Sequence, residues 1–311
     1  MGEKTLMATN NFKPFAIGSG ANVTSQADYE ALAALITGFQ SGKASSAQIN
    51  KAIRQSSVMA YVLAQFISDS TANDVLDNGT PDTILANLKS GLTSLTPGRL
   101  LNMQLFTASG TYTPTPGTKS IVVEVQGAGG GGGGIGASSS ANVAVGNGGG
   151  AGGYAKSRLT SGFTGGIQIT VGTGGPGGNL APTNGSAGGL SSFGSLIVAN
   201  GGDGGYAQPQ TPPPYGVTGS LGGIATGGNV LNIRGGASAA GGVFSTGNVA
   251  PGNGGSSQLG SATLSPSNNA VLPYAAYGYG SGGGGSYTNN KANGFAGGTG
   301  ANGVVIIWEY A

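Results

Sequence analysis

Two periodicities divide this chain near residue 100. Before that point apolar positions recur at helical spacing. Ile49, Ile53, Ala60, Leu63 and Ile67 form a seam suited to helix–helix packing, and they predict a long helix opened by Ser45 or Ser46. A shorter helix is predicted from Asp28 to Ile36. Thr24 and Ser25 precede it, Asp28 and Glu30 occupy its first turn where the helix dipole favours acids, and Gly38 and Gly42 bracket its end. A third helix is predicted from Asp82 to about Ser90, with Pro81 in its first turn and Gly91 as its stop.

After residue 100 the pattern changes to short β-branched and aromatic runs punctuated by glycine. Strands are predicted at 105–112, 120–125, 153–159, 167–171, 195–199 and 303–310. The last run, Gly303 to Tyr310, is the most apolar, so it is expected to close a sheet with the opening strands. Between the runs lie tracts such as Gly129–Gly134, Gly146–Gly153 and Gly282–Gly285. The fold expected is α+β: helices over 1–100, then an antiparallel sheet or sandwich over 101–311 carrying long glycine-rich loops. Loops of that length point to function or to disorder. Polyglycine-II helices of three residues per turn are the alternative for the tracts. The strict every-third-residue pattern they call for is missing, which confines that reading to local stretches.

Composition sharpens the division. Of 66 glycines, 58 fall after residue 100, whereas 14 of the 22 charged residues come before it. Each glycine costs backbone entropy to order, so such a chain folds only where close backbone packing or positive φ requires a missing Cβ. Disorder would instead call for few aromatics and a high net charge. The chain has 21 Phe, Tyr and Trp residues and a net charge of +2, and order is the favoured reading.

The absence of Cys and His removes disulfides, thiolate metal sites and the commonest base near neutral pH. No cofactor or metal is expected, and no enzymatic activity. No cluster of Lys and Arg suits a nucleic-acid backbone. No apolar run is long enough for a membrane span, and the N-terminal residues lack the apolar core of a signal peptide.

Three features invite a chemical reading. The run Ile121–Val125 followed by Gly127, Gly129 and Gly132 has the spacing of a dinucleotide-binding strand and loop, but Gly133, Gly134 and Gly136 follow where that fold needs a helix. After residue 100 the only carboxylates are Glu124, Asp203 and Glu309. Glu124 and Glu309 read as strand residues on a solvated face, and Asp203 as a turn residue. A glycosidase pair would use Asp203, though nothing selects its partner. The third feature is a set of tyrosines in glycine-rich or polar surroundings: Tyr206, Tyr215, Tyr274, Tyr277, Tyr279 and Tyr287. Tyrosine among Ser, Gly and Asn is the chemistry of adaptable binding loops. The competing reading is that these rings pack over glycine backbone. Phe106 and Trp308 read as core or interface residues.

The run Phe12-Lys-Pro-Phe-Ala-Ile-Gly-Ser-Gly-Ala-Asn-Val-Thr-Ser-Gln-Ala-Asp-Tyr-Glu30, with Gly38 to Lys51, Arg54 to Ser57 and Asp74 to Lys89, resembles the N-terminal region of tail-fibre proteins of tailed phages and prophages. Phe106 to Tyr112, Val123 to Gly127 with its glycine run, and Gly303 to Tyr310 resemble the glycine-rich domain at the tips of such fibres. The resemblance implies a virion tail component, made in the host cytoplasm and most simply homotrimeric, with a fibre-assembly chaperone as a further partner. It has no long shaft, which suits a short fibre or a tip. Residues 1–100 would mount it on tail or baseplate proteins, through Phe12, Phe15, Ile49, Ile53, Ala60, Leu63 and Ile67. The loops of 127–300 would meet a bacterial outer-membrane protein or surface polysaccharide. A purely structural tail-tip protein and a polysaccharide-degrading fibre are the alternatives.

Overall fold

The structure, a computed structural model, describes residues 8–39, 45–265, 274–289 and 293–311. Gly42 lies outside the described residues. The chain forms two compact units, Met1–Pro97 and Gly98–Ala311.

Among the described residues the first unit contains four helices: α1 (Gln26–Glu30), α2 (Ala34–Thr37), α3 (Ser46–Thr71) and α4 (Pro81–Ser94). Ser25 caps α1 by accepting from the Asp28 amide at 3.2 Å. The single helix expected over 28–36 is broken into α1 and α2. Tyr29 turns inward, whereas Leu35 and Ile36 are exposed, so no continuous apolar stripe holds the segment as one helix. Helix α4 runs through Gly91 rather than stopping there. Gly91 is buried against α3, where a Cβ would collide with the Ser70 hydroxyl. The glycine serves close helix packing, not termination. Ala64, Ile67 and Val75 form the core of the unit, with Phe12, Phe66, Ile84 and Leu88 packed on it.

The second unit opens on the strand Leu100–Phe106, which pairs antiparallel with the closing strand Val304–Tyr310. The closing strand also pairs with Ser120–Gln126, and so lies between two early strands. Tyr154–Leu159 and Leu231–Ile233 complete this five-stranded sheet. A second five-stranded sheet consists of Gly110–Tyr112, Ile167–Thr170, Ser191–Phe193, Ile197–Ala199 and Ala225–Thr226. The strand expected at 105–112 is thus two strands belonging to different sheets. Tyr112, Ile121, Val123, Val125, Phe193 and Ile307 are among the buried residues of their shared core.

Strands of both sheets lead directly into glycine tracts, and the tracts are not exposed loops. Residues 127–135 are buried throughout. Their amides donate to three surrounding segments in strict rotation, at 2.8–3.1 Å. Gly127, Gly130 and Gly133 donate to the carbonyls of Gly153, Gly150 and Asn147. Ala128, Gly131 and Gly134 donate to Gly189, Ser186 and Thr183. Gly129, Gly132 and Ile135 donate to Ala301, Gly298 and Phe295. The carbonyls of Ala128 and Gly131 accept from Gly202 and Gly205, those of Gly129 and Gly132 from Gly175 and Gly178, and that of Gly130 from Gly283. Tract 127–135 therefore sits inside six others with a hydrogen-bonding period of three residues. Its glycines have no room for a side chain: a Cβ on Gly129 would overlap the Ser281 carbonyl, and one on Gly132 that of Gly284.

The outer tracts do carry the every-third pattern. Thr173, Pro176 and Asn179 are exposed, and the glycines between them face inward. Asn200, Asp203 and Tyr206 form a second such row. In tract 127–135, which is enclosed on all sides, no such exposed row is left.

Candidate functional site

At their other ends the tracts carry a second, smaller sandwich. One sheet joins Val143–Gly146 to Ala207–Thr211 and Tyr287–Asn289, and the other joins Tyr215–Val217, Gly241–Ser245 and Asn248–Ala250. Val143, Val145, Val243, Val249 and Tyr287 form its core, with Tyr215 and Val217 packed against them. The Gly98 amide donates to the Ala311 carbonyl, past the end of the closing strand away from the tracts, so the chain enters this unit at the end opposite the small sandwich. Two residues at this end present bare apolar side chains: Leu180 is 66% exposed and Phe244 65%. Leu180 lies between Asn179 and Pro182 on the turn joining two tracts. Phe244 alternates with buried Val243 on a hairpin strand. Period-two alternation around Val243 was the signal for Phe244; Leu180 had none beyond its turn-forming neighbours.

The six tyrosines singled out by the sequence do not lie in one environment. Tyr206 is exposed at the end of its row, and its carbonyl accepts from the Asn147 amide at 2.8 Å. Tyr287 is buried in the small core, and Tyr215 is half-buried, so these two rings hold the sandwich together. The Tyr215 hydroxyl donates to the Val143 carbonyl at 2.6 Å, and burial pushes it up to about 12. Tyr274, Tyr277 and Tyr279 lie on a segment that precedes tract 280–286. The Tyr277 carbonyl accepts from Ser281 Oγ at 2.6 Å, and the Tyr279 amide donates to Leu259 at 3.2 Å. The Gly280 amide donates to Asn302, two residues before the closing strand, which puts Tyr279 beside the large sandwich. Tyr277 and Tyr274 are exposed there, and Tyr279 is half-buried.

Two of the three carboxylates have structural partners. Glu124 forms a 2.9 Å ion pair with Lys156 across neighbouring strands. Asp203 belongs to an outer tract. Glu309 is not on a solvated face: it is fully buried, because strand alternation turns it inward while Trp308 faces the other side. Its Oε1 accepts from the Tyr112 hydroxyl at 2.8 Å and the Thr115 amide at 3.0 Å, and its Oε2 from Thr115 Oγ1 at 2.6 Å. Burial alone would raise this carboxyl. The bonds from Thr115, Tyr112 and Asn102 outweigh it and hold the group below the usual carboxylate range. Tyr154, beside Glu124, is pushed up first by burial and then by that carboxylate. The amides of Gly127, Gly129 and Gly132 all donate to neighbouring tracts, so they are not directed at a phosphate. Among the described residues no three acids are grouped as a metal site.

In the first unit, Phe12, Ala60, Leu63 and Ile67 come together around an apolar hollow of about 130 Å³, which Ala64 and Ile84 complete. Ile67 is fully buried there, so of the proposed interface residues it belongs to the unit's own core. Ile49, Ile53 and Leu63 remain 38%, 43% and 47% exposed. Phe15 is exposed as well, its amide donating to Ser57 Oγ at 2.9 Å.

No curated protein matches the chain. Residues 107–310, which take in the closing strand, the tracts and both sandwiches apart from the strand Leu100–Phe106, match the family model described as the glycine-rich domain, and the chain belongs to that family.

Proposed function

We propose that this protein is a tail-fibre or receptor-binding component of a phage virion, whose second unit meets the bacterial surface and whose first unit mounts it on the tail. The observation that carries this reading is the division of labour within the second unit. Its tracts bury their own backbone, while Leu180 on a turn and Phe244 on a hairpin strand stand exposed at the end opposite the entry of the chain.

The tracts are read as polyglycine-II helices, for which the three-residue hydrogen-bonding period and the outward-facing third residues are the support. At roughly 3.1 Å per residue, a nine-residue tract such as 127–135 spans about 28 Å. A lattice of such segments is a stiff spacer. The turns it carries start from fixed points, which reduces the ordering cost of binding. Weak contacts to an outer-membrane protein or surface polysaccharide would be multiplied by several copies per virion, a homotrimer being the simplest arrangement. The uncovered positions Ile49, Ile53 and Leu63 on α3 favour packing against tail proteins or further copies.

A second reading has its own support. Packing alone accounts for the buried tract glycines, so a structural tail-tip role would explain them without any receptor. Exchanging the turns around Leu180 and Phe244 for those of another fibre separates the two. A change of host range with intact particles is the expected result, and unchanged host range favours the structural role.

A further inference from the structure

Lys51 is an unusual lysine. It lies on α3 under Tyr29 with only 5% of its surface exposed, and its ammonium is 5.7 Å from the centre of the Tyr29 ring. That ring contact stabilises a cation modestly. Among the described residues no carboxylate lies within ion-pair distance of Lys51 or of Arg54, one turn further along the same face. The acids of α1 are otherwise engaged: Asp28 Oδ2 accepts from Ser25 Oγ at 2.6 Å, and Glu30 Oε1 accepts from Gln26 at 2.7 Å. A cation this deeply buried is costly unless an anion pairs with it.

The surrounding space fits one. Lys51, Arg54, Gln55, Val58 and Met59 lie on a single face of α3 and, with Gln26 of α1, line a groove of about 560 Å³. The two cations stand at one side, Val58 and Met59 offer an apolar floor, and the two amides can pair with peptide backbone. We propose that this groove receives the carboxylate side chain of a short, partly apolar peptide segment from the tail protein on which the chain is mounted. Two cations are too few to track a nucleic-acid backbone. The inference rests on the mounting role proposed above for the first unit and names the chemistry of its partner.

Met59 supplies a reporter. The full chain, labelled at its methionine methyl groups, is titrated with N-acetyl-Leu-Glu-Leu-amide and with the counterpart carrying Gln. The expected result is a saturable shift of the Met59 signal with the Glu peptide. Apparent affinity should fall at least tenfold for the Gln peptide and in the Lys51→Met variant, and should be largely kept in Lys51→Arg. Equal responses to the two peptides, no response to either, or an unchanged response in Lys51→Met overturns the proposal. Inorganic phosphate shifting Met59 as strongly as the Glu peptide overturns it too, and reassigns the groove to phosphate. Immunolabelling of tails for the unaltered chain tests mounting separately: label on tails with a silent Met59 removes this inference alone, and no label removes the mounting role.

Discussion

The hydroxyl of Tyr112 donates a 2.8 Å hydrogen bond to the buried carboxylate of Glu309, 197 positions away in the chain. It ties the beginning of the second unit to its closing strand, and Thr115 adds two further bonds to the same group. Glu309 is held below its ordinary value of 4.5, so its contribution to stability is present above that pH and is lost as pH falls below it. Tyr112 is raised above its ordinary 10.0, by burial first and by Glu309 second, so its contribution is complete below pH 10 and declines above it. Denaturant unfolding should therefore show a stability plateau between these limits. Glu309→Gln should lower that plateau by about 1–3 kcal/mol and flatten its acid limb.

Alanine substitutions inside and outside the bundle should differ sharply. At Gly129 a Cβ would overlap the Ser281 carbonyl, and backbone enclosed on all sides cannot give way. Gly129→Ala should cost on the order of 3 kcal/mol or more, or abolish soluble expression. At Gly247 a Cβ meets nothing within 4 Å, and Gly247→Ala should leave the melting temperature within a few degrees.

Helices α3 and α4 offer a double-mutant test. Gly91→Ala should destabilise the first unit because the new Cβ meets the Ser70 hydroxyl. In a Ser70→Ala background the nearest atoms retreat to about ordinary contact, and the same change should become neutral or stabilising by up to about 1 kcal/mol through helix propensity. Thermal unfolding of the four variants measures the coupling.

Replacing Leu180 and Phe244 with serine removes exposed apolar area without touching either core. Circular dichroism and melting temperature should stay unchanged, while adsorption to host cells falls at least tenfold. Tyr287→Ser serves as contrast. It should lower stability, because that ring is part of the small core.

Local patterns were readable in the sequence where side chains made them. The apolar closing strand Val304–Tyr310 pairs with early strands as its composition required, and the Ser46–Thr71 helix follows its seam. Glu309 reads as a surface residue in the sequence because its partners Tyr112 and Thr115 come from the other end of the unit, and nothing in its neighbourhood in the chain announces them. The tracts read as loops in the sequence because their order lies in backbone hydrogen bonds. The every-third pattern survives at Asn200, Asp203 and Tyr206, where one side of the tract meets solvent, and disappears from 127–135, where none does. Enclosure, not irregularity, erased it. Tyr215 and Tyr287 look like Tyr206 in sequence, and only the pairing of distant strands separates packing rings from an exposed one.

An interior built from amides instead of hydrocarbon should respond differently to temperature. Exposing apolar surface raises the heat capacity of unfolding and exposing peptide groups lowers it, and ordinary domains reach about 12–15 cal/mol/K per residue. The enclosed tracts release mostly peptide on unfolding, so calorimetry should give this unit a value below that range. Its stability curve would then be shallow, with folding strength changing little from a cold environment to a warm one.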